Sequence, residues 1–367
     1  MNWYELHNIN TVDSPALLVY PERMRDNILA VKAAVKDVQR LRPHVKTSKI
    51  TEAAALMIEE GIHKFKCATI AEAEMLGLAG AKDVLLAYQP VGPKIGRLLE
   101  LTEQYPDTKY SCLVDNAASA VAIAAQFAIA QKVLPVYLDL NVGMYRTGIV
   151  PGLGALALYQ ELANLPGISP VGLHAYDGHL HDVDFAARKE KCDAAYAPVE
   201  ALAQMITDLG LPAPRIVAGG SPTFPIHAER QGVECSPGTF IFWDWGYQQH
   251  LPDQQFDYAA VLVTRVVSII NGELLCLDLG HKSVAAENPQ PRVVFLNAPE
   301  ASPLSQSEEH LVVKVADTTQ YPVGTVFYGV PYHICPTVAL YERVGVVENN
   351  TCIAQWKVVA RDRKIMI

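Results

Sequence analysis

Short apolar runs alternate with amphipathic stretches from residue 40 to about residue 240. Runs rich in Val, Leu and Ile predict strands at 41–46, 64–68, 83–88, 110–114, 135–140, 170–176, 215–218 and 233–235. Helical patterns fall between most of them, at 71–80, 93–104, 117–130, 153–164 and 185–209. Continuously apolar strands are covered on both faces, as in parallel sheets, and strands alternating with helices imply crossover connections. Eight such units in about two hundred residues point to a closed (β/α)8 TIM barrel. An open doubly wound sheet is the alternative, and its dinucleotide-binding version is weakened because no GxGxxG follows a strand.

Near residue 250 the period changes. Segments 259–270, 273–279, 292–296, 309–315, 325–330 and 344–347 are short, β-branched and bounded by Gly, Pro or Asn, with no convincing helix among them. They predict an all-β region, a small barrel or sandwich. Residues 16–20 and the first dozen residues precede the barrel pattern and are expected to add to it. A helix over 21–38 opens with Pro in its first turn, as helices favour. The expected division is an α/β barrel over 13–250 and a C-terminal all-β domain over 251–367, joined by residues 1–12.

Half of the 367 residues are hydrophobic and 19% are charged, enough to bury a sizeable core. A net charge of −9 without any basic run argues against a nucleic-acid partner. The N-terminus MNWYELHNIN has neither a basic nor an apolar leader region, which argues against a secretory signal. The longest apolar stretch, 117–130, is broken by Gln126 and too short for a bilayer, so it predicts a buried helix and no membrane partner. Cys67, Cys112, Cys192, Cys235, Cys276, Cys335 and Cys352 are scattered, odd in number and form no CxxC, which suits the reduced thiols of a cytoplasmic protein.

A barrel of this kind places its chemistry at the C-terminal ends of its strands. The first ends in His44 and Lys46, which share a face by the period of two. Most lysines are solvated surface charges, but one desolvated at a strand end can lose its proton, as Schiff-base chemistry requires. Lys49 competes for that role but lies past the strand. The fifth strand runs into a loop carrying Arg146, and the sixth ends in His174, Tyr176 and His179. The seventh and eighth run into Gly219-Gly220-Ser221-Pro222-Thr223 and Ser236-Pro237-Gly238-Thr239. Either turn could be ordinary, yet glycines with Ser and Thr hydroxyls can also cradle a phosphate. A phosphate cradle and a Schiff-base lysine on one rim point to pyridoxal 5'-phosphate. In the β-region, His333 and Cys335 would project together from an extended segment, a donor pair that suits zinc. A packed cysteine beside a satisfied histidine is the default reading of that pair. His174, His179, His181 and His281 remain unranked as candidate bases.

RPHVKTSK (42–49) resembles the cofactor-lysine segment of the D-threonine aldolase and D-serine dehydratase family, whose fold is alanine-racemase-like. NVGMYRTG (141–148) is similar to that fold's arginine segment, GLHAYDGH (172–179) to the strand whose aromatic residue stacks on the cofactor, and GGSPT (219–223) to its phosphate turn. The similarity runs in order over nearly the whole chain. It implies pyridoxal phosphate on Lys46, Arg146 near the phenolic oxygen, Tyr176 on the pyridine ring and a divalent metal at His333 and Cys335. Zinc suits the cysteine, with Mn2+ or Mg2+ as alternatives. The aldolase branch carries a carboxylate where Cys335 stands, and the dehydratase branch a cysteine. The resemblance therefore implies a homodimeric lyase acting on D-β-hydroxy-α-amino acids, with D-serine dehydratase-type elimination favoured over D-threonine aldolase-type cleavage to glycine and an aldehyde. An amino-acid racemase and a non-catalytic cofactor-binding protein are the remaining alternatives.

Overall fold

In the computed structural model, which describes residues 1–367, strand β1 (Ala16–Val19) is followed by seven strands separated by helices. These are β2 (Lys64–Cys67), β3 (Asp83–Leu86), β4 (Lys109–Val114), β5 (Leu134–Leu140), β6 (Ile168–Ala175), β7 (Arg215–Ala218) and β8 (Val233–Cys235). From β2 to β8 they pair in chain order as one parallel sheet of seven strands. The register Asp139↔His174 aligns two residues that line one cavity. Local chemistry starts the helices where the pattern predicts them. The hydroxyl of Thr69 accepts from the Glu72 amide, and the side chains of Asn116 and Asp184 accept from the amides of Ser119 and Ala187.

The regular first strand expected over 41–46 is absent. Leu41 bridges Cys235 and His44 bridges Lys66, each as an isolated parallel pair. The amides of Arg42 and His44 donate to the carbonyls of Cys235 and Pro237, and the Val45 and Lys66 amides donate to Lys66 and Pro43. Pro43 has no N–H to give, which breaks the ladder in its middle. This segment nonetheless spans from β8 back to β2 and supplies the eighth stave.

The barrel interior is filled by Leu85, Leu113, Tyr137 and Val217. Gly172 on β6 makes room for them: a Cβ there would stand 2.5 Å from the Tyr137 ring and 2.3 Å from the Arg215 carbonyl oxygen. Below this layer Arg42 is fully buried, with Nε 2.6 Å from Glu234 and Nη1 2.7 Å from Asp83. Helix Ala117–Ile129 buries Ala120, Ile123, Ala124 and Phe127 but leaves Val121 and Ile129 exposed, so the long apolar stretch is buried on one face only. No helix is long and apolar enough to cross a membrane.

The chain divides into a barrel unit of residues 31–46, 54–238 and 362–367 and a β-unit of residues 1–30, 47–53 and 239–361. The β-unit adds β9 (Ala260–Ile269), β10 (Leu274–Leu277), β11 (Val293–Phe295), β12 (Ser302–Gln306), β13 (Leu311–Lys314), β14 (Val326–Pro331), β15 (Arg343–Glu348) and β16 (Thr351–Lys357). Its order is β12-β13-β10-β9-β1-β15-β16, with β14 on β9 and β11 on β14. β1 pairs antiparallel with β9 and parallel with β15, which draws residues 13–30 into this unit. Tyr4, Leu6, Leu18 and Tyr20 pack with Val261, Val263, Tyr328 and Val347 in its core.

Candidate active site

At the C-terminal ends of the barrel strands lies a cavity of about 580 Å³ lined by His44, Lys46, Lys66, Arg146, His174 and Tyr176, among others. Lys46 is half-buried, and its amide donates to His44 Nδ1 at 3.2 Å. Three cations face the Tyr176 ring: Lys46 Nζ at 5.8 Å from its centroid, Lys66 Nζ at 5.6 Å and Arg146 Cζ at 4.9 Å. Lys49 belongs to the β-unit segment 47–53, where its carbonyl accepts from the Ala360 amide at 3.1 Å.

Lys66 has no counterpart in the sequence expectations. It points inward from β2 and is 2% exposed. Burial, and then the charge of Lys46, push its pKa down to about 7. Its Nζ lies 3.5 Å from His174 Nε2, and His174 Nδ1 lies 2.7 Å from Asp139 Oδ1. Burial opposes charge on Asp139, but the hydrogen bonds from His174 and Thr147 keep it ionised below the usual carboxylate range. An ionised carboxylate only accepts, so Nδ1 carries the histidine proton and Nε2 accepts from Lys66. Burial lowers the pKa of His174 as well. Of the four histidines left unranked, His174 is the one buried in this cavity. His179 backs onto Gly143, whose Cβ would stand 2.7 Å from His179 Nε2, and His181 and His281 are exposed.

The two glycine-rich turns are tied to each other. The Gly238 amide donates to Ser221 Oγ at 3.3 Å, and the Gly220 amide to Thr223 Oγ1 at 3.4 Å. Gly219 has φ +76°, and a Cβ on Gly220 would stand 3.0 Å from the Tyr176 ring. Ser236 Oγ, on the second turn, is buried without a hydrogen-bond partner. Turn amides, glycine clearance, a free buried hydroxyl and clustered cations suit a flat phosphorylated aldehyde. Thr239, expected on the phosphate, belongs to the β-unit, where its hydroxyl stands 3.7 Å from Cys335 Sγ.

Behind the first turn, Asp177 accepts from Thr223 Oγ1 at 2.7 Å and lies 2.8 Å from His227 Nε2 and 3.6 Å from Cys192 Sγ. Asp177, Cys192 and His227 could together offer ligand atoms to an ion. Arg230, however, places its guanidinium 2.8 Å from His227 Nδ1 and 3.7 Å from Cys192 Sγ, a cation where a metal would need none. Burial, then Asp177, pushes the Cys192 thiol up to about 12. The cluster is a hydrogen-bonded support for the turn and for Tyr176, the residue before Asp177.

In the β-unit, His333 is the N-cap of a short helix, Ile334–Val338, and Cys335 is its second residue. The extended segment expected there is corrected: the chain turns helical after His333. The two side chains still meet. Burial opposes charge on His333, but the hydrogen bond and charge of Cys335, then Glu287, outweigh it and push the imidazole up to about 9. His333 Nδ1 is 2.6 Å from Glu287 Oε1, a contact that orients the ring. Thr47 Oγ1 is 3.1 Å from Cys335 Sγ. Buried Asp244 accepts from the Ile334 amide at 3.0 Å and the Tyr247 amide at 2.9 Å, fixing the helix start. An imidazole oriented by a carboxylate beside a cysteine sulfur is a donor set that fits zinc.

Comparison with known proteins agrees with this architecture. The "Alanine racemase, N-terminal domain" family matches residues 19–244, and the "Putative serine dehydratase domain" family matches residues 259–347. The chain is 29% identical to a D-threonine aldolase of Arthrobacter sp, covering 95% of this chain and 93% of the relative. It is 26% identical to a D-threo-3-hydroxyaspartate dehydratase of Delftia sp. (strain HT23), covering 95% and 97%. A crystal structure of D-threonine aldolase from Filomicrobium marinum superposes with a TM-score of 0.88 at 24% identity, covering 95% of each chain.

Proposed function

We propose that this chain, which belongs to the alanine racemase N-terminal domain family, is a pyridoxal-phosphate-dependent lyase of D-β-hydroxy-α-amino acids with a divalent metal, zinc in first place, at His333 and Cys335. The observation that carries this reading is the cavity in which Lys46 and Arg146 face the ring of Tyr176. Relatives matched over nearly their whole length, among them an aldolase and a dehydratase of D-hydroxy amino acids, support it.

Each residue then has a task. Lys46 Nζ would hold the cofactor through its aldehyde, and as a free amine it would serve as a base for the proton at Cα. Tyr176 would support the pyridine ring and Arg146 the phenolic oxygen. The amides and hydroxyls of Gly219, Gly220, Ser221, Thr223 and Gly238 would bind phosphate, with His44 bordering the site. Bound there, the cofactor supplies an electron sink for charge at Cα. The metal supplies Lewis acidity toward the β-hydroxyl. Solved variants of a D-threo-3-hydroxyaspartate dehydratase change a histidine and a cysteine two residues later, the cysteine variant being in the metal-free form. His333 and Cys335 have that same spacing.

Elimination is favoured over cleavage because a thiolate ligand selects zinc over oxygen-preferring ions, and zinc improves the hydroxyl as a leaving group. Product analysis with D-serine, D-threonine and their L-enantiomers tests this. Keto acid and ammonia support elimination. Glycine and acetaldehyde from D-threonine replace it with the aldol reaction, and turnover confined to L-enantiomers refutes both. A homodimer belongs to the same reading, and light scattering of the loaded protein tests it.

A further inference from the structure

Lys66 is a cation of the cavity that the reading above leaves without a task. A lysine this buried ordinarily pairs with a carboxylate. Here its direct partner is the neutral imidazole of His174, held by Asp139. Every element around it contributes charge. Lys46 and Arg42 come from the 41–46 segment, Asp139 from β5, Arg146 from the following loop, and His174 and Asp177 from β6 and its end. Lys46 and Lys66 approach one aromatic ring at nearly equal distances, 5.8 and 5.6 Å from its centroid. Two like charges so placed repel each other.

We propose that Lys66 is a second lysine of the cofactor site, a positioning residue whose charge sets the protonation of the nitrogen at Lys46. His174 and Asp139 hold its amine in place, on the far side of the imidazole from the carboxylate. Burial, and then the charge of Lys46, push the pKa of Lys66 down to about 7. A proton on Lys66 disfavours one on the nitrogen at Lys46. The inference rests on Lys46 being the lysine that binds pyridoxal phosphate.

The test uses the full chain loaded with pyridoxal 5'-phosphate, as wild type, Lys66→Met and Lys66→Arg. Absorbance of the linked cofactor is titrated with pH, and borohydride reduction with peptide mapping locates the linkage. The linkage is expected on Lys46 in all three. Removing a nearby cation favours the protonated nitrogen, so its midpoint rises in Lys66→Met by about one pH unit, a tenfold change in protonation constant. In Lys66→Arg, where the charge is permanent, the midpoint falls or stays. Wild type itself gives a second reading that does not depend on a variant folding. Coupled titration of the two nitrogens broadens its curve beyond that of a single proton. A single-proton curve in wild type, or equal midpoints in the three proteins, with the linkage on Lys46, overturns the role of Lys66 and leaves the cofactor assignment standing. A linkage on Lys66, or none at all, overturns that assignment and this inference with it.

Discussion

Replacing Arg42 with alanine is expected to destabilise the barrel and to loosen cofactor binding together. The guanidinium is fully buried and holds Glu234 at 2.6 Å and Asp83 at 2.7 Å, with a weaker contact to the Phe65 carbonyl at 3.4 Å. Removing one partner of a buried ion pair costs about 3–5 kcal/mol, because the other charges stay buried and unpaired. Two features place this case at the lower end, about 3 kcal/mol. Glu234 keeps Lys64 at 2.7 Å, and Arg42 Nη2 already lacks a partner, so its own burial is incompletely compensated. The effect reaches the site through the chain. Residues 41–45 are held to their neighbours by isolated bridges rather than a ladder, so Arg42 is the side chain that anchors the segment ending in Lys46. Urea unfolding followed by circular dichroism measures the loss as a lower midpoint at unchanged slope. Titration with pyridoxal phosphate measures the weaker binding. The conservative Arg42→Lys variant restores charge but not the two-pronged geometry, and recovers about half of the stability. An alanine variant within about 1 kcal/mol of wild type would refute the anchoring argument, since exposed ion pairs are worth that little.

Three further outcomes are expected. Gly172→Ala forces a methyl against the Arg215 carbonyl and the Tyr137 ring, at 2.3 and 2.5 Å, and costs about 1–3 kcal/mol in the same urea assay. Asp177 is held below the usual carboxylate range: burial opposes its charge, but hydrogen bonds from His227 and Thr223 outweigh it. The stability this confers is complete above the unfolded value of about 4 and is lost as pH falls through the lower folded value, so Asp177→Asn flattens the acid limb of a stability–pH profile. Chelation is expected to abolish lyase activity and leave the absorbance of the bound cofactor, with zinc restoring turnover; Cys335→Ser lowers the metal content measured by elemental analysis, and full activity after exhaustive chelation would remove the Lewis-acid role.

How much of this is legible in the sequence depends on whether a signal lies along one segment or across several. The barrel strands are readable because both faces are covered, which makes each a plain apolar run, and the helices because their capping residues sit where the period changes. The first stave reads as a regular strand although Pro43 stands in view within it. A proline removes one rung, and in a segment this short one rung decides between a ladder and isolated bridges. The His333 and Cys335 pair is found for an incomplete reason: adjacency survives, but through a helix cap instead of an extended chain. Lys66 is missed although its signal is local. In Lys64-Phe65-Lys66-Cys67 the lysines share one face by the period of two, opposite Phe65 and Cys67. A barrel strand has no solvated face, so two lysines on one side must find partners inside. Lys64 finds Glu234 and Lys66 finds His174. The cluster of Asp177, Cys192 and His227 has no such signal. Its members lie 15 and 35 residues apart in sequence and on different elements, and nothing in their neighbours demands a partner. Periodicity reveals which face a residue occupies, and a polar residue on a face that must be buried is the place where sequence alone can ask for a partner. Which partner answers is settled by the closure of the barrel, because that closure brings β2, β5 and β6 to bear on one lysine.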